Sequence, residues 1–116
     1  MKTAALQVSR QEPQPGVVVI ALAGKMMLSD SAAVQDAIAQ ALGEGKRKFI
    51  IDLSGLTHID STGIGMFIAG LSQVGQAGGA LAMAGAAGMV REGFRVTRLD
   101  KVFRFFPDVE SARGAI

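Results

Sequence analysis

Between two apolar runs the chain reads His58-Ile59-Asp60-Ser61-Thr62-Gly63-Ile64-Gly65, which sets an imidazole, a carboxylate, two hydroxyls and two glycines side by side. Several chemistries could use such a set. A nucleophilic Ser61 needs a base, and His58 is the only histidine; residues three apart at a strand end seldom converge, and no Gly-x-Ser-x-Gly elbow occurs. An Asp-Thr/Ser-Gly protease turn has one residue fewer than Asp60-Ser61-Thr62-Gly63 and demands a second carboxylate facing the first. Gly63-Ile64-Gly65 lacks the third glycine of a dinucleotide fingerprint, and no Gly-x-x-x-x-Gly-Lys-Ser/Thr loop is present. With a single histidine, no cysteine and no clustered carboxylates, no metal donor set can be assembled. No catalytic residue, metal or cofactor is therefore expected. Two readings of the hydroxyls remain. Ser61 or Thr62 caps a helix, a role worth about 1 kcal/mol. Alternatively, Ser61 beside Asp60 is a phosphoacceptor, because a phosphoryl group brings nearly two negative charges that a helix N-terminus tolerates while Asp60 repels them.

Either reading requires a strand to end and a helix to begin at Ser61. Residues 11–16 hold two prolines and a glycine and predict a turn between a short strand near residues 6–9 and VVVIAL, residues 17–22. That β-branched run suits a strand buried on both faces, ended by Gly24. Ser29, Asp30 and Ser31 offer N-cap chemistry for a helix carrying Val34, Ala37, Ile38, Ala41 and Leu42 at the 3.6-residue period, with Gly43 as its stop. A strand over residues 49–53 and the stretch 56–59 lead into a second helix, in which Ile64, Phe67, Ile68, Leu71 and Val74 share one face. Its opposite face, Gly65, Ala69, Ser72, Gln73 and Gln76, is small or neutral where Lys and Glu are usual. Gly63, Gly65, Gly70 and Gly75 each weaken a helix by up to about 1 kcal/mol. Such a face serves either close approach to the sheet or the docking of another protein. After Gly78-Gly79 the pattern gives a strand at Ala80–Ala84, a helix over residues 87–96, a strand over 102–106 and a helix over 108–112. The order ββαβαβαβα predicts an α/β fold, a mixed β-sheet of about five strands with four helices and right-handed crossovers.

Composition narrows the class. A chain of 116 residues, 49% apolar and 19% charged, is expected to form one domain over residues 1–116. Polar and charged residues at the start leave no room for the apolar core of a secretory leader, and the absence of cysteine asks for no oxidising compartment, so a cytoplasmic setting is expected. No charge occurs between Ser61 and Val90, but the eight glycines of that span and Ser72, Gln73 and Gln76 interrupt it, so no membrane insertion is expected. The net charge of +2 is spread over Lys46-Arg47-Lys48 and scattered arginines, without Trp or Tyr, which predicts no nucleic-acid binding.

The segment IIDLSGLTHIDSTGIGMFI, residues 50–68, resembles the signature of the STAS domain, especially that of bacterial anti-sigma factor antagonists. Their pattern runs apolar strand, Asp-Leu-Ser, a short apolar stretch, then Asp-Ser-Ser/Thr-Gly-Leu/Ile-Gly. The later GQAGGALAMAGAAGMVREGFRVTRLDKVFRFFPD is similar to the family's glycine-broken strand, helix, and closing strand and helix. The resemblance implies a phosphorylation-switched binding module of transcriptional regulation, with no enzymatic activity of its own. Its implied partner is an anti-sigma factor that is also a serine kinase using ATP and Mg²⁺, which it sequesters to release a sigma factor. Ser61 is the implied phosphoacceptor and Asp60 flanks it; Gly63 and Gly65 shape the helix start, and a serine phosphatase resets the switch. The expected docking face comprises Asp60, Thr62, Gly63, Gly65, Ala69, Ser72 and Gln73, with Met26 and Met27 as an adaptable apolar contact. One departure stands out: where the family usually shows Gly-Glu-Leu/Ile-Asp, this chain has Gly24-Lys25-Met26-Met27, which reverses local charge and selects a different partner. The alternatives are a STAS subunit of a stress-signalling or lipid-transport complex with no phosphorylation, and a small hydrolase or nucleotide-using enzyme at Asp60 and Ser61, for which no base or oxyanion donor can be named.

Overall fold

The computed structural model describes residues 6–27 and 30–116. Its elements run β1 Gln7–Gln14, β2 Val17–Met26, α1 Ser31–Gly43, β3 Lys48–Ile59, α2 Ser61–Gln76, β4 Ala80–Ala84, α3 Gly88–Val96, β5 Arg104–Phe106 and α4 Val109–Ala115, with a 3₁₀ turn at Leu99–Lys101. The order is ββαβαβαβα, as the pattern predicts. One five-stranded mixed sheet in the order β1-β2-β3-β4-β5 pairs β1 antiparallel to β2 and the remaining strands parallel.

Alternation along the strands divides the core. Val18, Ile20, Leu22, Phe49, Ile51, Leu53, Leu81 and Met83 face α1, α2 and α3, which contribute Val34, Ile38, Phe67, Val74, Val90 and Phe94. Val17, Val19, Ile50, Ala82 and Ala84 face the other way and meet Ala112 of α4. Each fully buried Phe or Ile in the first layer contributes about 1.5–3 kcal/mol through removal from water.

Four boundaries differ from the sequence expectation, each for a local reason. β1 continues through residues 11–14 because the register shifts between Gln11 and Gln14; this irregularity on an edge strand admits Pro13, which has no N–H to give. β2 passes through Gly24 to Met26, and β3 passes through Ser54-Gly55 to Ile59, with register shifts between the two strands at both places. A Cβ on Gly55 would stand 3.0 Å from both the Ala23 Cβ and the Leu22 carbonyl oxygen, so this glycine permits strand contact rather than breaking the strand. β5 begins only at Arg104, since Val102 and Phe103 N–H groups both donate to the Leu99 carbonyl and hold the preceding turn. Ile68, expected on the buried side of α2, is 40% exposed. The buried stripe is centred on Gly63, Phe67, Gly70 and Val74, where a Cβ on Gly70 would come within 3.1 Å of Ile38 Cδ1, so α2 lies close against α1 and rolls Ile68 outward. Asp30 is the residue preceding α1, but its side chain makes no cap bond; Ser29 lies outside the described residues.

Candidate functional site

The site is built at the carboxyl end of β3. Asp60 keeps the extended backbone of the strand (φ −101°, ψ 177°), and Ser61 opens α2. The capping residue is Asp60, neither Ser61 nor Thr62: its Oδ1 accepts the Gly63 N–H at 2.8 Å, and its backbone carbonyl accepts the Ile64 N–H at 3.1 Å. This arrangement releases the two hydroxyls from local duty. Ser61 and Thr62 are both exposed, and neither side chain hydrogen-bonds another described residue. The adjacent Asp-Ser-Thr thus divides into one carboxylate that holds the helix and two hydroxyls that face solvent.

The glycines after them have different duties. Gly63 is buried, and a Cβ there would meet Ile59 Cγ1 at 2.9 Å and Met26 Cγ at 3.4 Å; it lets α2 start directly over the strand ends and does not belong to an exposed docking face. Gly65 is exposed with open space where a Cβ would stand, so no contact with another described residue explains its lack of a side chain.

Downstream, Ala69 and Ser72 are exposed and Gln73 is half-buried. With Ser61, Thr62, Gly65 and the outward-rolled Ile68 they form a strip along α2 at the three- and four-residue spacing of a helix face. The helix has no charged residue along its length. Met26 and Met27 separate. Met26 pairs with Ile59 in the sheet and is 0% exposed, so its expected place on the partner surface is corrected to the core: strand alternation turns it under α2. Met27 is 49% exposed, its N–H held by Asp30 Oδ2 at 2.8 Å and its carbonyl by the Asp30 N–H at 2.9 Å. Asp30, expected to cap α1, instead holds Met27, and Ile68 is the residue of the α2 strip that sequence reasoning missed. Ile68 was hidden because its apolar character matched the core stripe.

His58 is not part of a dyad with Ser61. It pairs in register with Lys25, one residue before the Met26–Ile59 pair, and so belongs to the opposite face of the sheet. Its Nδ1 lies 2.9 Å from the Thr57 hydroxyl, which donates to the Gly24 carbonyl at 3.0 Å; the consistent tautomer carries the proton on Nδ1 and donates to Thr57. Among the described residues no group of three or more His, Cys, Asp and Glu side chains could hold a metal, and no helix is long and apolar enough to cross a membrane.

A profile of the STAS domain matches residues 10–112. The chain belongs to the STAS domain family. It is 27% identical over 97 residues to the anti-sigma-F factor antagonist RsfB of Mycobacterium tuberculosis, covering 84% of this chain and 79% of that protein. Its fold is that of an anti-sigma factor antagonist from Mycobacterium paratuberculosis, with a TM-score of 0.86 at 22% identity, covering 97% and 94% of the two chains. It also matches the Bacillus cell fate determinant SpoIIAA in its phosphorylated form, with a TM-score of 0.74 at 17% identity over 95% of this chain and 100% of that one. Residues 50–68, which carry the sequence resemblance, span the β3–α2 junction, where a strand end, a capped helix and an exposed hydroxyl meet.

Proposed function

We propose that this STAS chain is an anti-sigma factor antagonist, a binding module that sequesters an anti-sigma factor serine kinase while Ser61 is unmodified and releases it when Ser61 carries a phosphoryl group. The observation that carries the reading is the freedom of the Ser61 hydroxyl: Asp60 caps α2, and Ser61 stands exposed at the head of an uncharged strip. Relatives named as anti-sigma factor antagonists, and a structure of this fold in a phosphorylated form, support it.

The switch follows from electrostatics. A phosphoryl group adds about −1.5 to −2 charges at neutral pH. At the first turn of α2 the helix dipole favours that charge, so the fold survives the modification. Pressed into an interface with Gly65, Ile68, Ala69 and Ser72, the same charge loses its water and finds no cation on the helix. The modification thus acts on association more than on folding. Lys25 is exposed on the sheet face opposite Met26, so its charge bears on partner choice only where the partner reaches past the end of β2. The kinase uses ATP and Mg²⁺, a serine phosphatase reverses the step, and the whole of residues 1–116 acts as one cytoplasmic domain.

The test is direct. The chain is incubated with an anti-sigma factor serine kinase of the same organism that binds it, ATP and Mg²⁺, and intact masses are taken for wild type, Ser61→Ala and Thr62→Ala. The reading expects one phosphoryl group on wild type and Thr62→Ala and none on Ser61→Ala. A wild type that gains no mass, or a gain that persists in Ser61→Ala, overturns it.

A further inference from the structure

A concavity lies at the carboxyl ends of β4 and β5, the strands beyond β3, at whose end Ser61 stands. β4 and β5 are parallel neighbours with Ala84 opposite Phe106, and the Gly85 N–H donates to the Phe106 carbonyl at 3.0 Å. Beyond this pair the chain parts. Residues 85–87 lead to α3, which buries Val90 and Phe94 in the layer shared with α1 and α2, whereas Pro107 and Asp108 lead to α4, which buries Ala112 on the opposite face. Adjacent strand ends whose helices depart to opposite faces open a crevice, the position at which α/β sheets place ligands. Here the crevice is a cavity of about 230 Å³ lined by Ala86, Arg91, Phe105, Phe106 and Pro107.

The lining has one charge and four apolar walls. The Arg91 guanidinium carbon lies 4.5 Å from the centroid of the Phe105 ring, a cation–π contact that holds the group at the crevice wall. Among the described residues no carboxylate is in ion-pair contact with it; the acidic partners taken by other cations are Glu44, Glu12, Glu92 and Glu110. A guanidinium so held, without a carboxylate, retains its forked donors for an oxygen anion. Size then limits the ligand. The cavity is below the roughly 300–1,000 Å³ of ordinary small-molecule sites, too small for a nucleotide and sufficient for one ring with a short acidic group.

We propose that this crevice binds a small aromatic carboxylate, its carboxylate held by the fork of Arg91 and its ring against Phe106 and Pro107. The proposal is independent of any event at Ser61. Amide spectra of the ¹⁵N-labelled full chain are followed during titration with benzoate, and separately with acetate, inorganic phosphate and benzyl alcohol. The expected result is a saturable benzoate shift at the amides of Ala86, Ala87 and Phe106, with each comparator at least about tenfold weaker because it lacks either ring or charge. Arg91→Gln raises the benzoate Kd about tenfold or more, as loss of a charge-assisted pair requires, and Arg91→Lys falls between. A wild type without a saturable benzoate shift, acetate or phosphate binding as tightly as benzoate, or an unchanged Kd in Arg91→Gln overturns the proposal. Should Arg91→Gln fail to give a folded spectrum, the comparators on wild type decide the matter alone.

Discussion

Replacing Asp60 by alanine separates its capping role from any role in recognition. The Oδ1 bond to the Gly63 N–H at 2.8 Å is lost, while the Ile64 N–H keeps its backbone acceptor, so one hydrogen bond is removed and not two. Loss of a cap costs about 0.5–2 kcal/mol. The upper half of that range applies, because Gly63 is buried and water cannot easily replace the carboxylate. With a urea m-value of about 1.5–2 kcal/mol/M, the unfolding midpoint falls by about 0.6–1.3 M at unchanged m. Asp60→Asn and Asp60→Ser retain an acceptor and stay within about 0.5 kcal/mol of wild type. Urea denaturation followed by circular dichroism measures all three. An Asp60→Ala midpoint equal to wild type, or an Asp60→Asn midpoint as low as that of alanine, refutes the assignment of Asp60 as the cap.

Three further outcomes follow from the same geometry. Gly65→Ala places its methyl in open space, so the helix gains up to about 1 kcal/mol by thermal unfolding, while binding to the anti-sigma factor weakens; a variant that is more stable and binds unchanged contradicts the docking strip. In Gly79→Ala the new Cβ would stand 2.2 Å from the Arg47 carbonyl oxygen, which also accepts the Ala80 N–H at 2.8 Å, so the start of β4 must shift at a cost of about 3 kcal/mol or more, and near-wild-type stability would contradict the close approach. Acid sensitivity comes from four carboxylates held below their ordinary values: Glu12 by its bond from Lys46, Glu44 by that from Arg10, Glu92 by that from Arg95 and Asp108 by the backbone N–H of Ser111. Because these folded-state values are lowered, their stabilisation is present above the ordinary carboxylate values, 4.5 for the three glutamates and 3.8 for Asp108, and is lost as pH falls below them through the folded values. The melting temperature should therefore drop on acidification and drop less in Asp108→Asn; a rise toward low pH would reverse the sign of the argument.

Much of the fold was legible where hydrophobic patterning and punctuation agree. VVVIAL, the helix through Val34, Ile38 and Ala41, and the strand after Gly78-Gly79 are found where the periodicity puts them. Glycine misled where it serves contact between strands: Ser54-Gly55 reads as a break until Ala23 is known to lie beside it. The site was legible in position and not in division of labour. Asp, Ser and Thr all cap helices, so the sequence Asp60-Ser61-Thr62 leaves the capping residue open until the extended backbone at Asp60 assigns it. Met26 and Met27 could not be told apart before β2 was known to continue past Gly24, since alternation along that strand decides which one is buried. Ile68 escaped notice because apolar character predicts burial, whereas its exposure depends on how closely Gly70 lets α2 approach α1.

The central claim is that charge acquired at Ser61 gates association. The most direct measurement is calorimetric titration of the anti-sigma factor with this chain before and after enzymatic phosphorylation at Ser61. The account predicts a Kd at least tenfold higher for the phosphorylated form, a loss of about 1.4 kcal/mol or more, with the folded state intact by circular dichroism. Equal affinities for the two forms would contradict it.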